Sequence, residues 1–205
     1  MRPIAFVAAI AAALLTACSI STRHGTADAV VKVITEGGHG SGVHMGDRYL
    51  LTAAHVVGDS ASVEVKSSTG EIHSAEVLWA NTAYDVALLR VDDASGLGAV
   101  HLSCRTPTVG EHITAKGNPV NVEFVTVWGK IAGEVRELGP WRSVVVTDIV
   151  TVPGQSGGPV YDNSGKIVGI TVGVMAARFG FGGSLVGMGY VVPGSVICGL
   201  MARGL

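Results

Sequence analysis

Three side chains in this sequence could together make a nucleophile: His55, Asp85 and Ser156, met in that order along the chain. A serine hydroxyl attacks a carbonyl carbon slowly near neutral pH unless a base takes its proton. An imidazole does this best when a carboxylate fixes its tautomer and stabilises its cation. The chain has 7 histidines, so context has to choose among them. His55 ends the largely apolar run from Tyr49 to Ala54 and precedes Val56-Val57-Gly58, which places it where a buried strand gives way to a turn. Asp85 opens the run Val86 to Val91, the pattern of a core strand with its first residue at the rim. Ser156 stands in Pro153-Gly154-Gln155-Ser156-Gly157-Gly158-Pro159, where neither helix nor strand is expected. Glycines there allow a tight turn in which the amides of Gly154 and Ser156 converge on one point and stabilise an oxyanion.

The strings Leu51-Thr52-Ala53-Ala54-His55, Tyr84-Asp85-Val86-Ala87-Leu88-Leu89 and Pro153 to Pro159 resemble those of the trypsin-like, chymotrypsin-fold serine peptidases. Within that family the chain is most similar to the compact bacterial HtrA/Deg type. His55 precedes Asp85 by 30 residues and Asp85 precedes Ser156 by 71, which leaves no room for the long surface loops of digestive enzymes. Thr147 to Ser156 resembles the HtrA-type approach to the serine. Gly37-Gly38-His39-Gly40-Ser41-Gly42 resembles the Gly-Ser-Gly entry to the first barrel. The resemblance runs from about Val30 to the C-terminal region and, because the sequence ends at Leu205, is expected to cover a catalytic domain without a PDZ module.

What the resemblance implies is specific. The expected fold is all-β, with two six-stranded antiparallel barrels and a short C-terminal helix. His55 becomes the base, Asp85 its orienting carboxylate, Ser156 the nucleophile, and the Gly154 and Ser156 amides the oxyanion hole. Val150, six residues before the serine, falls at the base of the specificity pocket, and Val172, Gly173 and Val174 form the strand edge that pairs with substrate. Small or medium apolar side chains before the cut bond are then preferred, and protein or peptide substrates need no cofactor. Gln155 stands where trypsins carry an aspartate that captures a new amino terminus, so that route of activation is not expected. A second reading, from a different class, is an inactive relative that binds a peptide or partner.

The rhythm of the chain is all-β on its own terms, with short apolar or alternating runs separated by Gly, Asn, Asp and Ser. Strands are expected near residues 30–35, 42–45, 49–53, 61–66, 74–79 and 86–91, making a first barrel over about 29–103. A second set near 113–116, 123–131, 143–148, 158–161, 166–174 and 187–192 makes a barrel over about 108–192. A closing helix is expected near 195–203. Asp162-Asn163-Ser164-Gly165 is a hairpin turn. Ala176 to Gly189, rich in glycine, reads either as a gating loop or as a long hairpin.

The first 17 residues have the charged start, short apolar core and small-residue exit of an export signal, and the apolar segment, Ile4 to Leu15, is too short for a confident membrane span. Leu15-Thr16-Ala17-Cys18 resembles a bacterial lipobox, which would make Cys18 a lipidated first residue on a tether over residues 18–28. Ordinary cleavage near Ala17 is the alternative. Ser19 fits sorting to the outer membrane, facing the periplasm of a Gram-negative cell. Cys104 and Cys198 remain as a pair in an oxidising compartment. Trypsin-like enzymes often tie the interbarrel linker to the C-terminal helix in this region, so the resemblance implies a disulfide, with two buried thiols as the alternative. Formal net charge is −2 with no basic run, which argues against nucleic acid. No metal-binding or phosphate-cradling pattern occurs, and His39 and His44 read as solvated or structural.

Overall fold

The computed structural model describes residues 28–179 and 182–204. Six strands form the first barrel: β1 (Val30–Thr35), β2 (Gly38–Gly46), β3 (Tyr49–Thr52), β4 (Ser62–Lys66), β5 (Ile72–Asn81) and β6 (Val86–Val91). A single helical turn, α1 (Ala54–Val57), follows β3. The second barrel comprises β7 (His112–Gly117), β8 (Val125–Leu138), β9 (Trp141–Thr147), β10 (Pro159–Tyr161), β11 (Ile167–Phe179) and β12 (Gly182–Pro193), and α2 (Gly194–Met201) closes the chain. The strand order is β1-β2-β3-β6-β5-β4 in one and β10-β11-β12-β9-β8-β7 in the other, the same circuit used twice, with both barrels closed and antiparallel.

Burial explains why β6 is apolar at four successive positions, Val86 to Leu89, before the exposed Arg90. Its alternate side chains enter different cores: Ala87, Leu89 and Val91 face the lumen of the first barrel, while Val86 and Leu88 face the second barrel. The interface core joins Val43, Leu51 and Val86 to Val144, Ile170, Val192 and Ile197. A third cluster, including Ile113, Ile131, Val145 and Val160, fills the second barrel. The two barrels therefore share one continuous apolar seam, and residues at their facing ends are held in fixed relation.

The linker after β6 is bound to the second barrel. Cys104 and Cys198 form a disulfide with Cα atoms 5.5 Å apart, resolving the open pairing in favour of the bridge. Beside it Arg105 meets Glu111 and, at 2.9 Å, Asp162. Partial burial would raise the Asp162 carboxyl, but the Ser164 hydroxyl, the Arg105 guanidinium and backbone amides outweigh it and hold the group down at about 2.

Several elements run further than expected. β2 begins at Gly38, inside the glycine segment, and β8 continues to Leu138. β11 and β12 stay paired as far as Phe179 and Gly182, so the described part of the 176–189 stretch is a long hairpin rather than a loop. α2 starts one residue before its expected position and ends at Met201.

Candidate active site

His55 lies in α1, and Asp85 precedes β6, 5% exposed. Their bond is direct: His55 Nδ1 and Asp85 Oδ2 are 2.7 Å apart, and the His55 backbone amide donates to Asp85 Oδ1 at 2.9 Å. With the carboxylate accepting at Nδ1, that nitrogen carries the proton and Nε2 the lone pair. Burial alone would raise the Asp85 carboxyl, but hydrogen bonds from His55 and from the Trp141 indole overcome it, leaving the group lowered and ionised. Asp85 holds a left-handed backbone, φ 58°, a conformation that aspartate tolerates better than most residues. The imidazole is half exposed.

Ser156 is held very differently. Gly154 and Gly157 have φ values of 95° and 83°, which glycine alone adopts without strain. A Cβ on Gly157 would run into Ser41 O and Thr52 Oγ1, and one on Gly154 into Asn118 O and His39. The serine loop is thus pressed against backbone from both barrels. Ser41 is the joint: its amide donates to Ser156 O at 2.7 Å, and its hydroxyl donates to Gly154 O at 2.7 Å while accepting from Asn118 N at 2.9 Å. Val120 N donates to Pro153 O at 2.9 Å, and Gly157 N to Thr171 O at 2.7 Å.

Gln155, 4% exposed, closes the loop on itself. Its side-chain oxygen accepts from Val152 N at 2.8 Å, and its own amide donates to Val152 O at 3.2 Å. Among the described residues, the amides of Gly154 and Ser156 donate to nothing, the condition for a pair of donors left available to an oxyanion. Ser156 Oγ likewise makes no hydrogen bond to His55 among the described residues; such bonds are often long before substrate arrives.

His55 and Ser156 border one cleft of about 640 Å³, together with Gly154, Thr151 and Val174. The cleft runs along the facing ends of the two barrels. Val174 borders this cleft on the side of Ser156. Val150 is not at the base of the cleft: it is 60% exposed, whereas Thr151, 3% exposed, borders it. Successive side chains of an extended segment point to opposite sides, so one residue separates floor from outside. Val172 is 1% exposed and turned to the interface core, where it borders a smaller apolar cavity of about 350 Å³ beside His55. Gly173 lies under the Trp141 ring, which fills the space a Cβ would need.

Three contributors were not legible beforehand. Ser41, Asn118 and Trp141 act through contacts with segments far away in sequence, and only Ser41 carried any motif. His39, read as solvated or structural, borders the cleft and has Nε2 3.0 Å from Asn118 O; His44 is 4% exposed, with Nδ1 2.7 Å from Gly98 O. Cys18 and the lipobox lie outside the described residues. No cluster of metal-ligating side chains occurs among the described residues.

The chain belongs to the trypsin-like peptidase family, whose domain profile matches residues 40–170. Within it the relatives are of the HtrA/DegP type. It is 31% identical over 153 residues to a probable periplasmic serine endoprotease, DegP-like, of Rhizobium meliloti (strain 1021), covering 73% of this chain. A protein of the same description from Pseudomonas fulva (strain 12-X) is 33% identical over 154 residues, again 73% of this chain. The chain spans 30% and 31% of the length of these two relatives. Among solved structures, the serine endoprotease from Yersinia pestis superposes with a TM-score of 0.71 at 28% identity, covering 86% of this chain and 62% of that one. Rv3671c from M. tuberculosis H37Rv gives 0.73 over 85% of both chains at 23% identity, a likeness of fold.

Proposed function

We propose that this chain is a serine endopeptidase of the bacterial cell envelope in which Ser156 is the nucleophile, His55 the base and Asp85 its orienting carboxylate. The observation that carries the reading is the 2.7 Å bond between His55 Nδ1 and the buried, ionised Asp85, on a histidine that shares its cleft with Ser156. With Nδ1 protonated, Nε2 takes the Ser156 proton as Oγ attacks the substrate carbonyl. The oxyanion forms against the unpaired amides of Gly154 and Ser156. His55 then returns the proton to the leaving amine as the C–N bond breaks, and water resolves the acyl-enzyme by the same steps in reverse.

Substrates of this enzyme are unfolded or extended segments of protein. Beyond Thr171, which still bonds to Gly157 and Gly158, the described part of β11 pairs only with β12, which supports strand addition along Gly173 and Val174. Thr151 and Val174, on the Ser156 side of the cleft, are uncharged and of modest size, which supports small or medium apolar side chains before the cut bond, while the carboxylates of the cleft, Glu36 and Asp59, come from the first barrel. Export and lipid anchoring at Cys18 rest on the N-terminal pattern, and the periplasmic description of the relatives fits that placement.

The alternative, a peptidase-fold binding module, is separated by one experiment. A fluorophosphonate should label the purified protein at Ser156 and fail to label Ser156→Ala and His55→Ala. Absence of labelling in the unaltered protein, at any pH between about 5 and 9, overturns the enzyme reading.

A further inference from the structure

Asp85 accepts three hydrogen bonds, and two of them come from the same residue, His55. The third crosses between the barrels. Trp141 Nε1 donates to Asp85 Oδ2 at 3.0 Å, on the same oxygen that holds His55 Nδ1. An indole N–H in a part-buried place needs an acceptor somewhere, and any backbone carbonyl would serve that need. Here it meets a buried carboxylate instead.

The tryptophan itself is fixed from several sides. Its ring covers Gly173, which has no side chain to displace it, and lies 5.3 Å from the Tyr190 ring at an angle of 51°. Next to it, Arg142 N donates to Ala83 O at 3.0 Å, tying the start of β9 to the turn that carries Asp85. The indole and the aspartate therefore belong to different barrels but to one locked contact. Because Asp85 sits in a left-handed conformation, at the end of a turn, its carboxylate orientation is not set by strand geometry alone.

We propose that Trp141 is a positioning residue for the nucleophile: its indole N–H fixes the rotation of the Asp85 carboxylate, and so the aim of His55, only when the second barrel is docked on the first. The proposal rests on the enzyme reading above. It makes Asp85 a checkpoint for interbarrel assembly, since a first barrel alone would leave Oδ2 one donor short. A carboxylate oxygen that loses a charged hydrogen bond in a buried site rotates or recruits water, and His55 follows it.

The test separates the donor from the packing. 3-Benzothienylalanine, introduced at position 141 alone, keeps the shape of tryptophan and replaces its N–H by sulfur. Fluorophosphonate labelling of Ser156 in this protein should saturate at an unchanged probe concentration but run roughly ten- to hundredfold slower, the effect of one hydrogen bond to a charged group. Trp141→Phe should slow it at least as much, with its melting temperature showing how far packing contributes. The same isostere at Trp128, 74% exposed, should leave the rate unchanged. An unaltered labelling rate at position 141, with Ser156 labelled normally in the parent protein, overturns the role given to Trp141. A parent protein that never labels overturns the enzyme reading, and this proposal with it.

Discussion

The two halves of the site are built on opposite principles. His55 and Asp85 belong to the first barrel and hold one another, through a side-chain bond of 2.7 Å and a backbone bond of 2.9 Å. Ser156 belongs to a loop with little regular structure of its own, held in place by Ser41, Asn118, Val120 and Thr171. One half is made by polar chemistry between two residues, the other by the exclusion of side chains at Gly154 and Gly157. Damage to the first should therefore appear as lost rate with the fold intact, and damage to the second as lost stability.

The largest effect is expected where the chemistry is concentrated. Asp85→Asn keeps the shape and one acceptor but misdirects the imidazole, and kcat/KM should fall about 10⁴-fold with little change in melting temperature. If instead the fold collapses, the first half is structural and the contrast is wrong. Gly157→Ala should destabilise by roughly 3–5 kcal/mol in urea, because a left-handed backbone and the oxygens of Ser41 and Thr52 leave no room for a methyl group. Ser41→Ala should cost less than either. It strands the Gly154 carbonyl and the Asn118 amide in a fully buried place, and about 2–3 kcal/mol is expected, with labelling at Ser156 lost at temperatures where the first barrel is still folded.

The smallest effect should come from a group outside both halves. Asp162 has its carboxyl held down at about 2, below the unfolded value near 4, so its contribution is complete above about pH 4 and is lost as pH falls toward 2. Asp162→Asn should flatten that acid limb of the stability curve, read by circular dichroism, while leaving labelling of Ser156 near neutral pH as fast as in the parent protein. A change in labelling rate would mean that the linker ion pairs reach the site.

The same contrast explains what could be read from the sequence. His55 and Asp85 flank runs that are almost wholly buried, and a strand with both faces covered, such as β6 from Val86 to Leu89, announces itself as consecutive apolar residues. The cradle of Ser156 does not. Gly40 looks like a turn residue, yet like Gly42 it lies within β2; a Cβ would strike Val56 at Gly40 and press on Leu51 O at Gly42. Their signal is close packing rather than chain reversal, and a sequence does not distinguish the two. β8 ran past its expected end because Glu134, Val135, Arg136 and Glu137 are all exposed, so the alternation that marks a half-buried strand is missing. Val150 and Thr151 differ by one residue, and only the local backbone decides which of them faces the cleft. Trp141 carried no pattern at all, because its partner is 56 residues away in another barrel.

The disulfide has a consequence of a topological kind. Cys104 and Cys198 are 94 residues apart in sequence, and the entire second barrel, Ser156 included, hangs between them. Any single cut inside that span, including one an enzyme of this kind makes in its own chain, leaves the two fragments fastened together. Such a nicked molecule gains one water in mass and otherwise keeps its size until a reductant is added. A single self-inflicted cut within the second barrel would consequently release no fragment on a non-reducing gel, and the bridge turns what would be destruction into a mark the protein can carry.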